Sequence, residues 1–336
     1  MPLLSYVIPC YHSAATIREV TEDIFRTVDG DGRYQCEVVL VNDHPPDQPR
    51  EVLQQLSAED PRVRSVCFMH NFGQHAALMA GYRATRGDIV ISLDDDGQTP
   101  PSESLKLVDR IQEGYDLVYC DYVGNYFANG FRKLGSNVND KMAEWLLGKP
   151  HGLYLSSYFA ATRPVVDEVC RYTGPYPYVD GLFLRSAGLI SSVQVLHKER
   201  EVGESGYSFG KLIGLWLNGF TAFSAKPLRV LAVVGTVFAL FGLVAAALIV
   251  IHKLVAWDTV DAGWPSLMCL LLVVGGIVLA GLGLVGEYVG RIYISNNAAP
   301  QYIVRSEVGG EPGAHGPAVG EKTPEKTPEK TPHANR

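Results

Sequence analysis

Three aspartates stand side by side in Asp94-Asp95-Asp96-Gly97-Gln98-Thr99-Pro100-Pro101, directly after an apolar run. Adjacent carboxylates repel one another unless a cation or a bound proton offsets the charge. In an extended segment side chains alternate, so Asp94, Asp96 and Gln98 are expected on one side. Such oxygen donors suit Mg2+ or Mn2+, hard cations that keep open positions for diphosphate oxygens. A second acidic stretch, Asn42-Asp43-His44-Pro45-Pro46-Asp47, follows another apolar run. Turn formation beside two prolines explains its aspartates equally well. Asp180, in Tyr176-Pro177-Tyr178-Val179-Asp180-Gly181, is an acidic candidate for proton chemistry or a turn aspartate. His70 and His75 flank Asn71-Phe72-Gly73-Gln74 without Cys or Glu at zinc spacing, and read as structural histidines, hydrogen-bonded where a helix starts.

Those side chains need a scaffold, and residues 1–200 carry the pattern of one. Apolar runs at 4–8, 36–41, 63–69 and 88–93 read as strands, and helical patterns cover 14–27, 74–85 and 102–113, with another starting at 51. This βαβα alternation predicts a mostly parallel, helix-covered sheet. In such sheets ligands bind beyond the carboxyl ends of the strands, where both acidic stretches fall.

The chain of 336 residues is 47% hydrophobic and only 19% charged, with a mean hydropathy of +0.05. A soluble domain carries roughly 25% charge. The balance excludes a disordered protein, a disulfide scaffold and a many-span transporter, and points to a soluble domain joined to a few membrane segments. Two stretches, 230–251 and 264–286, hold no charged residue. Each exceeds the about 20 residues that cross a bilayer core as a helix. Lys211, Lys226 and Arg229 precede the first and Arg291 and Arg305 follow the second, which predicts both termini in the cytoplasm. The N-terminus lacks the basic and apolar regions of a signal peptide. Residues 209–223 read as a helix lying at the membrane interface or packed on the domain. The net charge of −7 argues against a nucleic-acid surface. Six scattered cysteines without a CxxC pair read as reduced, buried side chains. The expected organisation is a catalytic domain (1–205), a juxtamembrane segment (206–228), two spans within 229–293 (about 230–252 and 264–287), an extension (294–305) and a disordered tail (306–336), whose Glu-Lys-Thr-Pro repeat cannot bury a core.

Taken together, the motifs resemble one family. Asp94-Asp95-Asp96-Gly97-Gln98-Thr99-Pro100-Pro101 is similar to the D-x-D-x-Q-x-P-P signature of family 2 glycosyltransferases acting on polyprenyl phosphates, which include dolichyl-phosphate mannose synthases and bacterial undecaprenyl-phosphate transferases. Ile8-Pro9-Cys10-Tyr11-His12 resembles the opening I-P-x-Y-N of their GT-A nucleotide-sugar domain, and Asn42–Asp47 stands where the family has D-D-G-S-x-D. Asn71-Phe72-Gly73-Gln74-His75-Ala76-Ala77-Leu78-Met79-Ala80-Gly81 resembles the N-x-G-Q-H-x-A-x-M-A-G helix of the aminoarabinose-type transferases. Arg200-Glu201-Val202-Gly203-Glu204-Ser205-Gly206-Tyr207-Ser208 and Gly286-Glu287-Tyr288-Val289-Gly290-Arg291-Ile292-Tyr293 resemble its R-x-x-G-x-S-K-Y-S and G-E-Y-x-G-R-I-Y elements. The likeness covers about residues 4–304.

The resemblance implies a GT-A α/β fold, an interfacial helix and a two-helix hairpin in the cell (inner) membrane. It implies transfer of a sugar from a nucleotide sugar to a polyprenyl phosphate, with inversion, for modification of cell-envelope glycans. Pro9, Tyr11, Asp43 and Asp94 would contact the nucleotide; Asp94, Asp96 and Gln98 would hold Mg2+ or Mn2+, making Asp96 catalytic. Arg132, Ser136 and Arg200 would bind the lipid phosphate, since guanidinium groups match phosphate geometry. A homo-oligomer is compatible with this reading. Several positions depart from the family: His12 replaces Asn, Asn42 replaces an acid and Gly206 replaces Lys. Leu155-Ser156-Ser157-Tyr158 lacks the acid that many relatives carry before the stretch beginning at Arg163, leaving Asp180 as the acidic candidate. A phosphate acceptor is already anionic, so a strong base is not required. A processive polysaccharide synthase is a rival reading, disfavoured by two spans and no Q-x-x-R-W motif. A non-catalytic membrane-tethered partner is another, disfavoured by the intact Asp94/Asp96/Gln98 set.

Overall fold

The computed structural model describes residues 1–11, 13–43, 50–122, 148–195, 263–297 and 300–309, with isolated positions such as 141, 144, 228 and 233 between them. An eight-stranded sheet organises the chain. Its first half alternates strand and helix: β1 (Leu3–Cys10), α1 (Ile17–Asp31), β2 (Gln35–Asn42), α2 (Arg50–Glu59), β3 (Val63–Phe68), α3 (Gln74–Ala84), β4 (Ile89–Ser92) and α4 (Ser104–Gln112). Then come β5 (Leu117–Tyr122), β6 (Phe159–Thr162), α5 (Arg163–Cys170), α6 (Val179–Ser186), β7 (Ile190–Val195), α7 (Trp264–Asn296) and β8 (Val304–Val308). The strand order is β7-β5-β6-β4-β1-β2-β3-β8. The β1, β2, β3 and β4 pairings are parallel, as is β5 with β7, while β6 and β8 run antiparallel to their neighbours.

Period-two alternation explains why this sheet is covered on both faces. Leu4, Tyr6, Ile8 and Cys10 of β1 face Ile17, Val20, Ile24 and Val28 of α1 and Leu107, Val108 and Ile111 of α4. Val7 points the other way, toward Met79 and Tyr82 of α3, Val165 and Val166 of α5, and Leu182 and Phe183 of α6. Val39 and Val41 of β2 join that second face against Ala76, Ala77 and Ala80. The small residues let α3 lie close to the sheet: a Cβ on Gly81 would sit 2.3 Å from Val7 Cγ1. Central strands buried on both faces are the expected home of near-continuous apolar runs.

Helix α7 spans 33 residues and continues to Asn296, beyond the expected end of the second span near 287. At helical rise this is about 50 Å. Its stretch Val274–Asn296 is long and apolar enough to cross a membrane, and Leu270, Leu271, Leu279, Leu282 and Ile292 stand exposed along the helix. The first expected span and the juxtamembrane segment lie almost wholly outside the described residues. The expected start of a disordered tail at 306 is corrected: Ser306, Glu307 and Val308 belong to β8, which pairs with β3. Polar as it is, this segment finds an open sheet edge, and pairing satisfies its backbone. Cys10, Cys36, Cys67 and Cys120 are buried free thiols, as expected, whereas the free thiol Cys170 is only partly buried.

Candidate active site

The carboxyl ends of three adjacent parallel strands bring the acidic residues together. In register, Cys10 of β1 pairs with Asn42 of β2 and Val7 with Ser92 of β4, so the residues following each strand leave the sheet side by side. After β4 the chain does not stay extended: Asp95 and Asp96 lie in a turn, and Gly97 has φ 69°, a left-handed conformation that favours glycine. The simple alternation expected for Asp94, Asp96 and Gln98 is therefore corrected. The turn assigns different tasks to the three aspartates.

Asp95 turns inward as a brace. Its Oδ2 accepts the Tyr11 N–H at 2.8 Å, and its carbonyl accepts the Thr16 hydroxyl at 2.6 Å. Burial pushes its carboxyl up to about 6, against the lowering effect of the Tyr11 amide. Tyr11, so fixed, remains 47% exposed at the mouth of the β1 loop, with Pro9 two residues before it in β1. Asp94 lies between helices and loops: Ser157 Oγ donates to its Oδ2, and Gln74 Nε2 approaches Oδ1 at 3.5 Å. Burial raises its carboxyl pKa, the Ser157 hydroxyl opposes that, and the charge of Asp96 adds to it. Asp96 Oδ1 accepts the Gln98 N–H at 3.0 Å, an Asx turn that shapes the loop.

Asp43 follows β2 and is 4% exposed. Its Oδ1 accepts the Phe72 N–H at 2.7 Å and its Oδ2 the Gly73 N–H at 2.9 Å. The aspartate thereby ties the β2 end to the loop before α3, whose next residue is Gln74. The His70 and Phe72 rings stack on this loop with centroids 3.9 Å apart.

Asp180 is the second residue of α6. Its charge raises the Tyr82, Tyr119 and Tyr178 phenols further after burial has done so, and Asp94 also acts on Tyr82. Burial alone lifts the Asp180 carboxyl up to about 6. The Tyr82 hydroxyl donates to Ser92 Oγ at 3.3 Å, and the His75 ring meets Tyr178 edge-on at 5.3 Å. His75 is the second residue of α3, as expected, but not hydrogen-bonded through its buried Nδ1; that atom and the Tyr119 hydroxyl lack a partner among the described residues. Burial lowers the His75 pKa to about 4, which keeps the ring neutral.

Among the described residues no three His, Cys, Asp or Glu side chains converge as a metal cage. A cation here would rest on the neighbouring Asp94 and Asp96 carboxylates, with Gln98 beside them and remaining positions for substrate oxygens. This donor set fits Mg2+ or Mn2+, which are held by one or two carboxylates plus phosphates. Arg132, Ser136, Arg200, His12 and Gly206 lie outside the described residues. The contacts of Ser157 and Gln74 with Asp94 were not legible in the sequence; the only hints were that Gln74 stands in a stretch resembling a family motif and that Ser157 lies where many relatives carry an acid.

Comparison with known proteins gives this geometry a family. Residues 5–170 match the family described as "Glycosyl transferase family 2", and residues 226–292 match "GtrB C-terminal hairpin". The chain is 35% identical to an undecaprenyl-phosphate 4-deoxy-4-formamido-L-arabinose transferase of Serratia proteamaculans (strain 568), over 92% of this chain and 95% of that one. It is 33% identical to the protein of the same name from Proteus mirabilis (strain HI4320), over 91% and 94% of the two chains. Among solved structures, mannosyl-3-phosphoglycerate synthase from Rubrobacter xylanophilus shares the fold at a TM-score of 0.51 and 15% identity, covering 68% of this chain and 74% of that one.

Proposed function

The chain belongs to glycosyl transferase family 2, and we propose that it moves a single sugar from a nucleotide sugar to undecaprenyl phosphate at the cytoplasmic face of the cell membrane. The observation that carries this reading is the Asp94/Asp96 pair beyond the carboxyl ends of parallel strands, with Asp94 met by Ser157 and Gln74, in a chain that aligns over 92% of its length with a relative named for that acceptor. The sugar named for both relatives, 4-deoxy-4-formamido-L-arabinose, is the first donor sugar to test.

In this reading Pro9, Tyr11 and the Asp43-tied loop wall the nucleoside, and Asp94, Asp96 and Gln98 are the residues that would hold Mg2+ or Mn2+. Such a cation supplies Lewis-acid stabilisation of charge developing on the diphosphate leaving group. Arg132, Ser136 and Arg200 orient the acceptor phosphate. One of its anionic oxygens forms the new bond to the anomeric carbon from the face opposite the breaking bond, so the configuration inverts. The nucleoside diphosphate departs with the electron pair. No proton must leave the attacking phosphate, so Asp180 acts as an orienting acid beside the sugar rather than an obligatory base. The α7 helix and the span before it form a hairpin that keeps the site near a headgroup unable to leave the bilayer.

The test mixes purified full-length protein with undecaprenyl phosphate, Mg2+ or Mn2+, and labelled nucleotide sugars of several bases. Lipid carrying one sugar is the expected product. No transfer from any donor by folded protein overturns the reading. A polymer would favour a processive synthase, and absence of metal-dependent nucleotide binding a non-catalytic partner.

A further inference from the structure

The segment that leaves the apolar helix comes back to the catalytic domain and ends within its sheet. Only residues 297–300 separate the end of α7 from Gln301. A chain that short bridges at most about 17 Å, so the helix end stays near the domain. Gln301 is 7% exposed although its side chain is a neutral amide. Its Nε2 donates to the Tyr172 carbonyl at 3.0 Å and the Gly174 carbonyl at 2.6 Å, and its Oε1 accepts from Arg83 Nη1 at 2.9 Å. Arg83, in the last turn of α3, also donates to the Tyr302 hydroxyl at 3.1 Å, the Tyr172 carbonyl at 2.7 Å and the Cys170 carbonyl at 3.4 Å. The Tyr302 ring stacks on Phe68 of β3 at 5.0 Å and 9°. The next residue, Ile303, accepts the Met69 N–H at 2.9 Å, and β8 then pairs along β3.

We propose that Arg83, Gln301 and Tyr302 are positioning residues, a latch through which the segment following α7 sets the two loops that wall the active site. One loop, 69–73, begins at the Met69–Ile303 bond and carries the Phe72 and Gly73 amides that hold Asp43. The other, 170–178, is gripped at Cys170, Tyr172 and Gly174 and leads into Tyr178 and Asp180. A buried amide with its donors and acceptor all engaged tolerates little displacement, because a shift strands polar groups away from water. The Arg83 fork is likewise directional in a way a lysine ammonium is not. The latch explains why the post-helix segment becomes a strand instead of a tail. It rests on the reading above for its purpose: an acceptor confined to the bilayer needs a site held in fixed register with the membrane helix.

The test uses the full-length chain in nanodiscs containing undecaprenyl phosphate, with Gln301→Ala, Arg83→Lys and Tyr302→Phe. Hydrogen–deuterium exchange is followed by peptide, and transfer is measured as kcat and KM. For Gln301→Ala and Arg83→Lys, exchange at 69–73 and 170–178 is expected to rise about tenfold while β1, β2 and β4 stay protected. Turnover should fall about tenfold, with KM for undecaprenyl phosphate within about twofold. Tyr302→Phe keeps the stack on Phe68 and loses the bond to Arg83, so about a threefold loss is expected. Unchanged exchange at the two loops overturns the latch, whether or not turnover falls, and so does wild-type behaviour of Arg83→Lys, which would leave only a role for charge. If Gln301→Ala exposes β1, β2 and β4 as well, Tyr302→Phe decides. If the wild-type protein transfers nothing to undecaprenyl phosphate, the functional reading fails while the exchange data still judge the latch.

Discussion

Two neighbouring walls of the site are built around the same kind of residue and treat its charge in opposite ways. At the end of β2, both oxygens of Asp43 are taken by backbone amides. At the end of β4, Asp94 is met by one hydroxyl and a distant amide, and stands close enough to Asp96 to be raised by it. Hydrogen bonds from backbone N–H to a carboxylate are charge-assisted and strong, so the first wall solvates its own charge. The second gives Asp94 only neutral side-chain donors. An aspartate at a strand end is thus architectural or chemical according to who supplies its donors.

The largest effect that could break this contrast is at Asp96. Asp96→Ala should lower sugar transfer by about a thousandfold or more, the scale of losing a charged group that stabilises a leaving group. The melting temperature should stay near that of the unmodified chain, because Asp96 belongs to none of the apolar clusters. Thermal melting alongside initial-rate assays checks both halves. A large drop in stability would make Asp96 as architectural as Asp43.

Asp43→Ala should show the opposite signature. It strands the Phe72 and Gly73 amides in a buried setting, at a cost on the order of 3 kcal/mol. Urea unfolding should register that loss, and exchange should rise at 70–74. Stability close to wild type would erase the distinction between the walls.

The scaffold of this contrast was legible in the sequence to within a few residues. Alternating apolar runs gave β1 to β4 and the helices between them, because buried strands and amphipathic helices leave periodic marks. The acidic stretches fell at strand ends for the same reason. Three features were not legible. The inward turn of Asp95 depends on Gly97 adopting a left-handed conformation, which breaks the alternation an extended segment would have. Strand β8 has a weak local pattern, Val304-Arg305-Ser306-Glu307-Val308, and exists because β3 offers an unpaired edge. Ser157 meets Asp94 across 63 residues of sequence, a contact that only tertiary structure creates.

Asp180 sharpens the comparison through pH. Its ordinary value of 3.8 rises to about 6 in the folded chain through burial. The native state then binds more protons than the unfolded state between those values. Stability therefore falls as pH rises from about 4 through 6, and the cost is fully present above 6. Replacement by Asn removes a charge that is buried at a cost. Asp180→Asn should raise stability by on the order of 2 kcal/mol at pH 8, with the gain vanishing near pH 3.5. Melting curves across this range test the sign. Transfer should fall in the same variant, the pattern of a group kept for function against stability. A gain that grows toward low pH would sink the assignment.

The smallest effect separates the walls most finely. Ser157 does for Asp94, with one neutral hydroxyl, what two backbone amides do for Asp43. Ser157→Ala removes that donor and leaves Asp94 beside Asp96 with weaker compensation. The expected loss is about 1 kcal/mol of transition-state stabilisation, or roughly fivefold in transfer. Ser157→Thr keeps the hydroxyl and should recover most of the rate, whereas Ser157→Asp adds a third carboxylate and should fall below Ala. If Ala instead matches the loss at Asp96, Ser157 contacts the reacting groups directly. If Ala equals wild type, Asp94 draws its compensation wholly from the ligand, and the second wall is more open in charge than its hydrogen bonds imply.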